Sequence, residues 1–315
     1  MSLRRIAIQM DPPERLNPRG DSTVALAEAA AKRGAEVVYF HPRSLSLQPD
    51  GTLTAQCHSW TIDRTQTRWW QSESVGLHVL DGMDAVLMRQ DPPFDMEYIT
   101  ATYLLERLGN KVFNPPASVR NAPEKLTPYL FPQFQPPTLV SADVEAIHAF
   151  HAQHPDMVIK PLHGFGGVGV FRIGAKGENL SSLLELLLSG DKREPLVAQP
   201  FLPEVKDREI RVVMIDGKIE AAFVRRPASG EIRSNMRVGG VPEVVELNAR
   251  EIAVAEAVGV WLKAQGILLC GLDLIGGYLG EINVTCPTGI RAVEALYGRN
   301  LAETCWDVIE AKLAL

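Results

Sequence analysis

Gly271-Leu-Asp-Leu-Ile-Gly-Gly-Tyr-Leu-Gly-Glu-Ile-Asn-Val284 is the stretch on which the reading of the whole chain turns. Two runs of alternating character flank a glycine pair, the pattern of a β-hairpin. With Gly276-Gly277-Tyr278 as a three-residue turn, Ile275 pairs with Leu279. Asp273 then stands opposite Glu281, and Gly271 opposite Asn283. One face carries Asp273, Glu281 and Asn283; the other carries Leu272, Leu274, Ile282 and Val284 and faces a core. Two carboxylates directly across a ladder repel each other. A cation between them is one reading, and two carboxylates with an amide are hard oxygen donors suited to Mg²⁺. An ordinary solvated polar face is the other reading.

Upstream, Lys160-Pro-Leu-His-Gly164-Phe-Gly166-Gly167-Val-Gly169 satisfies G-x-G-x-x-G on paper. A dinucleotide fingerprint requires a helix directly after the loop, whereas Val170-Phe-Arg-Ile173 reads as a strand. Strand, glycine loop, strand is the geometry of a flap over phosphates, and Lys160 on the incoming strand can reach a phosphate as a point charge. A purely structural glycine turn remains the competing reading. His163, at the mouth of the loop, is assigned no role. Arg211, Arg225, Arg226 and Arg233 lie between flap and hairpin, and arginine forks bind carboxylate or phosphate bidentately.

The rest of the chain frames these segments. Its 315 residues fit two or three domains. With 46% hydrophobic and 22% charged residues it is not a disordered chain, and no run of about 18 apolar residues offers a membrane span. A net charge of −6 argues against a nucleic-acid partner. Cys57, Cys270, Cys286 and Cys305 are scattered without zinc spacing, which reads as a reduced, cytoplasmic protein. The N-terminus shows no secretory signal pattern.

The first third predicts strands at Ile6–Met10, Glu36–Phe40, Asp84–Met88 and Lys111–Phe113, with helices Thr23–Arg33 and Met96–Leu108. That alternation implies a parallel, Rossmann-like sheet. Beyond Asn114-Pro-Pro the expectations are a helix Pro123–Leu130, a strand Pro137–Val140, and a helix Asp143–His151 with Ser141 as a plausible cap. Strand Met157–Pro161, helix Leu180–Leu188 and strand Leu196–Phe201 come next. Ile210–Ile215 and Lys218–Val224 form a hairpin about Asp216-Gly217, and Asn248–Gln265 a long helix.

Several of these segments together resemble the bacterial type of glutathione synthetase, an ATP-grasp ligase family. The carriers are Met88-Arg-Gln-Asp-Pro-Pro-Phe-Asp95 with Ala101-Thr-Tyr-Leu-Leu-Glu106, Asn121-Ala-Pro-Glu-Lys125, Lys160–Gly167, Gly271–Gly276 and Glu281-Ile-Asn-Val-Thr-Cys-Pro-Thr288. The resemblance runs from Ile6 to the final helix. It implies an ATP-grasp fold preceded by the parallel-sheet domain, α/β followed by α+β. The expected divisions are 1–121 (substrate-side domain), 122–200 (central lid) and 201–315 (catalytic subdomain).

The same resemblance implies a function: ATP- and Mg²⁺-dependent joining of γ-glutamylcysteine to glycine through an acyl phosphate, with Mn²⁺ as the alternative ion. By position, Lys125 and Lys160 would touch phosphates under a flap of Gly164, Gly166 and Gly167. Gln199, Pro200, Phe201 and Leu202 would meet the adenine edge. Asp207 and Glu209 are both candidates for the ribose, and the spacing to Arg211 favours Glu209. Asp273, Glu281 and Asn283 would hold the metal. Arg211, Arg225, Arg233 and Asn235 would bind substrate carboxylates and the acyl phosphate, and 227–240 would close over the reaction. Cys286 stands where the motif often has serine. A homotetramer is implied as well.

Three other functions compete. An ATP-grasp ligase for a different carboxylate and amino acid pair would keep the same nucleotide residues. An NAD-dependent oxidoreductase requires a glycine fingerprint after the first strand, yet Asp11-Pro-Pro-Glu-Arg follows and no glycine comes before Gly20. A non-catalytic nucleotide-binding module has no need of the full Asp/Glu/Asn set.

Overall fold

The computed structural model describes residues 3–189, 194–226 and 240–314. It contains three main sheets in chain order, each with its own helices.

The first is a seven-stranded sheet. Arg5–Gln9 lies between Glu36–Phe40 and Ala85–Met88, all parallel, and Val112–Phe113 extends the parallel part. Helix Ser22–Lys32 makes the first crossover, its start capped by Asp21, whose carboxylate accepts from the backbone N–H of Thr23 and Val24. The sheet is mixed, however, and not purely parallel as expected. Leu53–Ser59 joins Glu36–Phe40 antiparallel and is itself flanked by Ser46–Leu47 and Ser74–Val79. The signal was present: Leu53, Ala55 and Cys57 alternate inward and are fully buried, between the more polar Thr54, Gln56 and His58.

The second sheet has four antiparallel strands, ordered Leu139–Ser141, Leu196–Pro200, Met157–Pro161 and Phe171–Ile173. Its inner face packs Met157, Ile159, Ile173 and Ala198 against Ile147 and Leu184 of helices Val144–Gln153 and Leu180–Leu187. The helix expected over 123–130 is only a 3-10 turn, Thr127–Leu130; Pro128 within it lacks the N–H that an α-helix needs. The helix expected to reach Leu108 ends at Leu105, followed by 3-10 turns and Gly109 at φ +62°. Asp143, not Ser141, caps helix Val144–Gln153; Ser141 Oγ accepts from the Asp143 N–H instead.

The third sheet is antiparallel, ordered Val241–Val244, Lys218–Arg226, Glu209–Ile215, Leu269–Ile275 and Tyr278–Asn283. One face packs Ile210, Val212, Met214, Leu272 and Leu274 against Val254, Val258 and Leu262 of helix Ala249–Ala264. The opposite face is divided. Its lower half, with Val213, Ile215 and Phe223, is covered by helices Ile290–Tyr297 and Leu301–Leu313, which pack in turn on helix Ser22–Lys32. Its upper half carries Glu209, Arg211, Arg225, Asp273, Glu281 and Asn283.

Asn114 fastens the first sheet's domain to this one. Its Nδ2 donates to Leu269 O and Val284 O, both at 2.8 Å, and its Oδ1 accepts from the N–H of Leu268 and Leu269 at 2.8 and 3.0 Å. Asn114→Ala would leave four buried backbone groups unpaired, so we expect a loss of about 3–5 kcal/mol. A denaturant midpoint that does not move would show that the joint is not needed.

Candidate active site

The carboxylate hairpin forms with the expected functional register: Asp273 faces Glu281, Leu272 faces Ile282 and Gly271 faces Asn283. The turn differs from expectation. It is the two-residue pair Gly276-Gly277, at φ +56° and +80°, with Ile275 opposite Tyr278 and Leu274 opposite Leu279. Two consecutive positive φ values suit the right-handed twist of a hairpin and are open to glycine. The residue thereby displaced is absorbed by a bulge beyond Asp273, so both carboxylates still reach one face.

Asp273 is the centre of the charge arrangement. Arg211 grips it in a fork, Nε to Oδ1 at 2.7 Å and Nη2 to Oδ2 at 3.0 Å. Arg225 approaches Oδ1 at 3.0 Å and also pairs with Glu209. Gly271 makes room for the fork, since a Cβ there would lie 2.9 Å from Arg211 Nη1. Burial opposes the Asp273 charge, but Arg211 and Arg225 outweigh it and hold the carboxyl well below the usual carboxylate range. Glu281 is likewise held down: burial works against its charge, and Lys125 and Lys160 prevail.

A cleft opens between the second and third sheets over this polar half. Lys160 projects from strand Met157–Pro161, and its Nζ is 3.5 Å from Glu281 Oε1; Lys125 Nζ is 3.6 Å from the same oxygen. Lys125 also donates to the carbonyl of Gly164, which ties the flap to the hairpin. Gly164, Gly166 and Gly167 line the roof, and Gln199, Pro200, Phe201 and Leu202 line the far end beside Val158, Val170, Val205 and Ile275. Phe201 N–H is taken by Asp156 O at 2.8 Å, and Gln199 Nε2 by Thr138 Oγ1 at 3.0 Å. Glu209 lines the cleft, whereas Asp207 is exposed and pairs with Arg226. Arg226 itself is on the surface with Glu243. Arg233 and Asn235, with most of the expected closing loop 227–240, lie outside the described residues.

Glu124 lines the cleft and was not anticipated. It stands inside the quoted Asn121–Lys125 run, but nothing in the sequence separates a cleft carboxylate from a solvated one. Burial, then the nearby Glu281 charge, pushes its carboxyl up to about 7 in spite of Lys125. A carboxyl raised from its ordinary value in the folded state binds protons that the unfolded chain has released. Its effect on stability is therefore a loss as pH rises from about 4.5 to 7. Melting curves of the nucleotide-free protein should show Glu124→Gln losing less stability than the parent between pH 5 and pH 8. Equal losses would remove this account of Glu124.

The donor set fits a hard divalent ion. Asn283 spends its Nδ2 on Gly271 O at 3.2 Å and Asp273 Oδ2 at 3.1 Å, and Glu281 meets both lysines through Oε1. Glu281 Oε2 and Asn283 Oδ1 are then the oxygens available to a cation, with Asp273 behind them. The lining carries Lys125, Lys160, Arg211 and Arg225 against Glu209, Asp273 and Glu281, with Glu124 raised toward its neutral form, so cations and carboxylates come close to balance. A polyphosphate entering a nearly balanced site needs added positive charge, and a divalent ion supplies it.

Residues 124–298 match the ATP-grasp domain of prokaryotic glutathione synthetase, and residues 4–120 match the N-terminal domain of the same enzyme. The chain belongs to the prokaryotic glutathione synthetase family. It is 46% identical to a glutathione synthetase of Rhodopseudomonas palustris, covering 98% of this chain and 99% of that one. A glutathione synthetase of Bradyrhizobium diazoefficiens is 45% identical, with 98% of both chains covered. Among solved structures, a D-cycloserine synthetase superposes with a TM-score of 0.68 at 16% identity, over 98% of this chain and 99% of that one. The ATP-grasp ligase PsnB, complexed with a precursor variant, Mg and ADP, gives 0.65 at 18% over 99% of each. At those identities the two structures show the ATP-grasp fold alone. As a member of the prokaryotic glutathione synthetase family, the chain is an ATP-grasp ligase with a glutathione synthetase's function, and ATP-grasp ligases use ATP and Mg²⁺.

Proposed function

We propose that the chain joins the cysteinyl carboxyl of γ-glutamylcysteine to the amine of glycine, with ATP converted to ADP and phosphate. The observation that carries this reading is the convergence of two lysines, two arginines and the Asp273–Glu281–Asn283 face on one cleft in a member of this family. In this reading Pro200 O accepts the adenine amino group and the Leu202 N–H supplies the donor, while Glu209 takes the ribose.

Lys125 and Lys160 bind the phosphates beneath the flap. Asp273, Glu281 and Asn283 would hold Mg²⁺, or Mn²⁺ in its place, which supplies Lewis-acid charge to phosphate oxygens when bound. A carboxylate is a poor acyl donor because oxide is a poor leaving group. Its oxygen attacks the γ-phosphorus, the bond to ADP breaks, and an acyl phosphate results. Positioning and charge neutralisation dominate such a transfer, and Lys125, Lys160 and Arg211 provide both. The neutral glycine amine then attacks the acyl carbon; Arg225 or Arg233 stabilises the oxyanion, phosphate leaves, and the amine proton passes to solvent. Arg233 and Asn235 would complete the substrate contacts, and 227–240 would keep water from the acyl phosphate. Cys286 is not used as a nucleophile.

We assign 1–121 to the substrate side, 122–200 to the lid and 201–315 to catalysis. The family reading also favours a cytoplasmic homotetramer. No helix among the described residues is long and apolar enough to cross a membrane. The test is phosphate release and product mass with ATP, Mg²⁺ and γ-glutamylcysteine, with and without glycine. Glycine-dependent release, one phosphate per glutathione, is the expected result. Release with no peptide product, or product only with another amino acid, would overturn it.

A further inference from the structure

Beside the phosphate end of the cleft lies a second cavity, of about 20 Å³ against about 200 Å³ for the cleft. The two share Glu124 and Gly164 as walls. Four separate parts of the chain build the small one: Phe94 from the segment after strand Ala85–Met88, Glu124 from the segment before the second sheet, Leu162, His163 and Phe165 from the flap, and Thr285 from the segment after the carboxylate hairpin. Its lining is mostly apolar. Phe94 stacks on His163 of the flap, ring centroids 6.3 Å apart at 29°, and is backed by the buried Tyr98 at 5.3 Å. Phe94 and His163 thus join the first domain to the flap.

We propose that this cavity receives the side chain of the donor's C-terminal residue, the one whose carboxyl is activated, and that Phe94 sets the size it accepts. The inference rests on the functional reading above and extends it to donor selectivity. The volume suits a side chain of about two heavy atoms beyond the α-carbon, such as CH₂–SH, and excludes a branched or long one. Sulfur makes favourable contacts with aromatic rings, which Phe94 and Phe165 offer. Thr285 and Glu124 supply oxygens for a weak S–H donor. The shared walls place such a side chain next to the carboxyl being phosphorylated, as one α-carbon requires. Because the flap forms part of the wall, its closure over ATP and the enclosure of this side chain are one event.

The test measures kcat/KM, by peptide mass, for γ-glutamylglycine, γ-glutamylcysteine, γ-glutamyl-α-aminobutyrate and γ-glutamylleucine with glycine as acceptor. Parent, Phe94→Ala and Phe94→Trp proteins are compared, and binding of a non-hydrolysable ATP analogue serves as the fold check. Phe94→Ala should raise the leucine-to-cysteine ratio about tenfold or more. Phe94→Trp, which fills the space, should lower cysteine and aminobutyrate relative to glycine by a similar factor. Unchanged donor ratios in both variants would overturn the proposal. So would a change in acceptor preference, alanine against glycine, in place of a donor change. If the parent protein made no peptide from γ-glutamylcysteine and glycine, the functional reading would fall and this inference with it.

Discussion

Asp273→Asn is expected to lower peptide synthesis by about 10³-fold, since the loss of a metal-directed carboxylate removes several kcal/mol of charge stabilisation. The same change should destabilise the protein by about 3–5 kcal/mol. Asp273 is the shared partner of Arg211 and Arg225, both buried, and removing one member leaves the others uncompensated. From sequence alone the residue reads only as a metal ligand, for which a stable but inactive variant would be expected. The structure couples the two roles. Loss of acid stability accompanies them: the Asp273 carboxyl is depressed in the folded state, so its contribution is present at neutral pH and is lost as pH falls below the ordinary carboxylate range. A variant that melts like the parent while losing activity would detach Asp273 from the arginine cluster. One that retains turnover would remove it from the metal site.

Glu281→Gln should cost a similar factor in turnover, about 10³-fold, with a different signature. Its partners are Lys125 and Lys160 at 3.6 and 3.5 Å, and its side chain keeps 23% exposure. Those contacts are long and partly solvated, so we expect a stability change of about 1 kcal/mol or less. Meanwhile the two lysines lose a competing anion and become freer to hold phosphate. Nucleotide affinity measured without metal should therefore hold or rise, while the Mg²⁺ concentration giving half-maximal activity rises about tenfold or more. Weaker metal-free nucleotide binding, or an unchanged Mg²⁺ requirement, would count against the assignment.

These two residues also show why legibility varied along the chain. A period of two makes a strand's faces readable from its letters, so the sequence alone places Asp273, Glu281 and Asn283 on one face and Leu272 and Ile282 on the other. The turn is one residue shorter than the sequence suggests, yet the faces are unchanged, because the bulge beyond Asp273 takes up the difference. The strands at 53–59 and 74–79 are barely legible in the sequence because short, half-polar antiparallel strands have a weak signal. The turn at 127–130 sits in a run of helical character, and Pro128, which lacks an N–H, decides otherwise. The role of Glu124 is not legible in the sequence because its environment comes from burial, Glu281 and Lys125, and Glu281 is distant in sequence.

The amino-acid order by itself determined most of the elements, the shared face of Asp273, Glu281 and Asn283 on the hairpin, the strand–flap–strand arrangement and, through its motifs, the family. Those depend on local periodicity and turn chemistry, which act over a few residues. Tertiary structure alone decided that Arg211 and Arg225 share Asp273, that Asn114 joins two domains through four backbone groups, and that Phe94 meets His163 across a small cavity. Each joins residues remote in sequence, and charge pairing and packing depend on distance in space, which one-dimensional order does not encode.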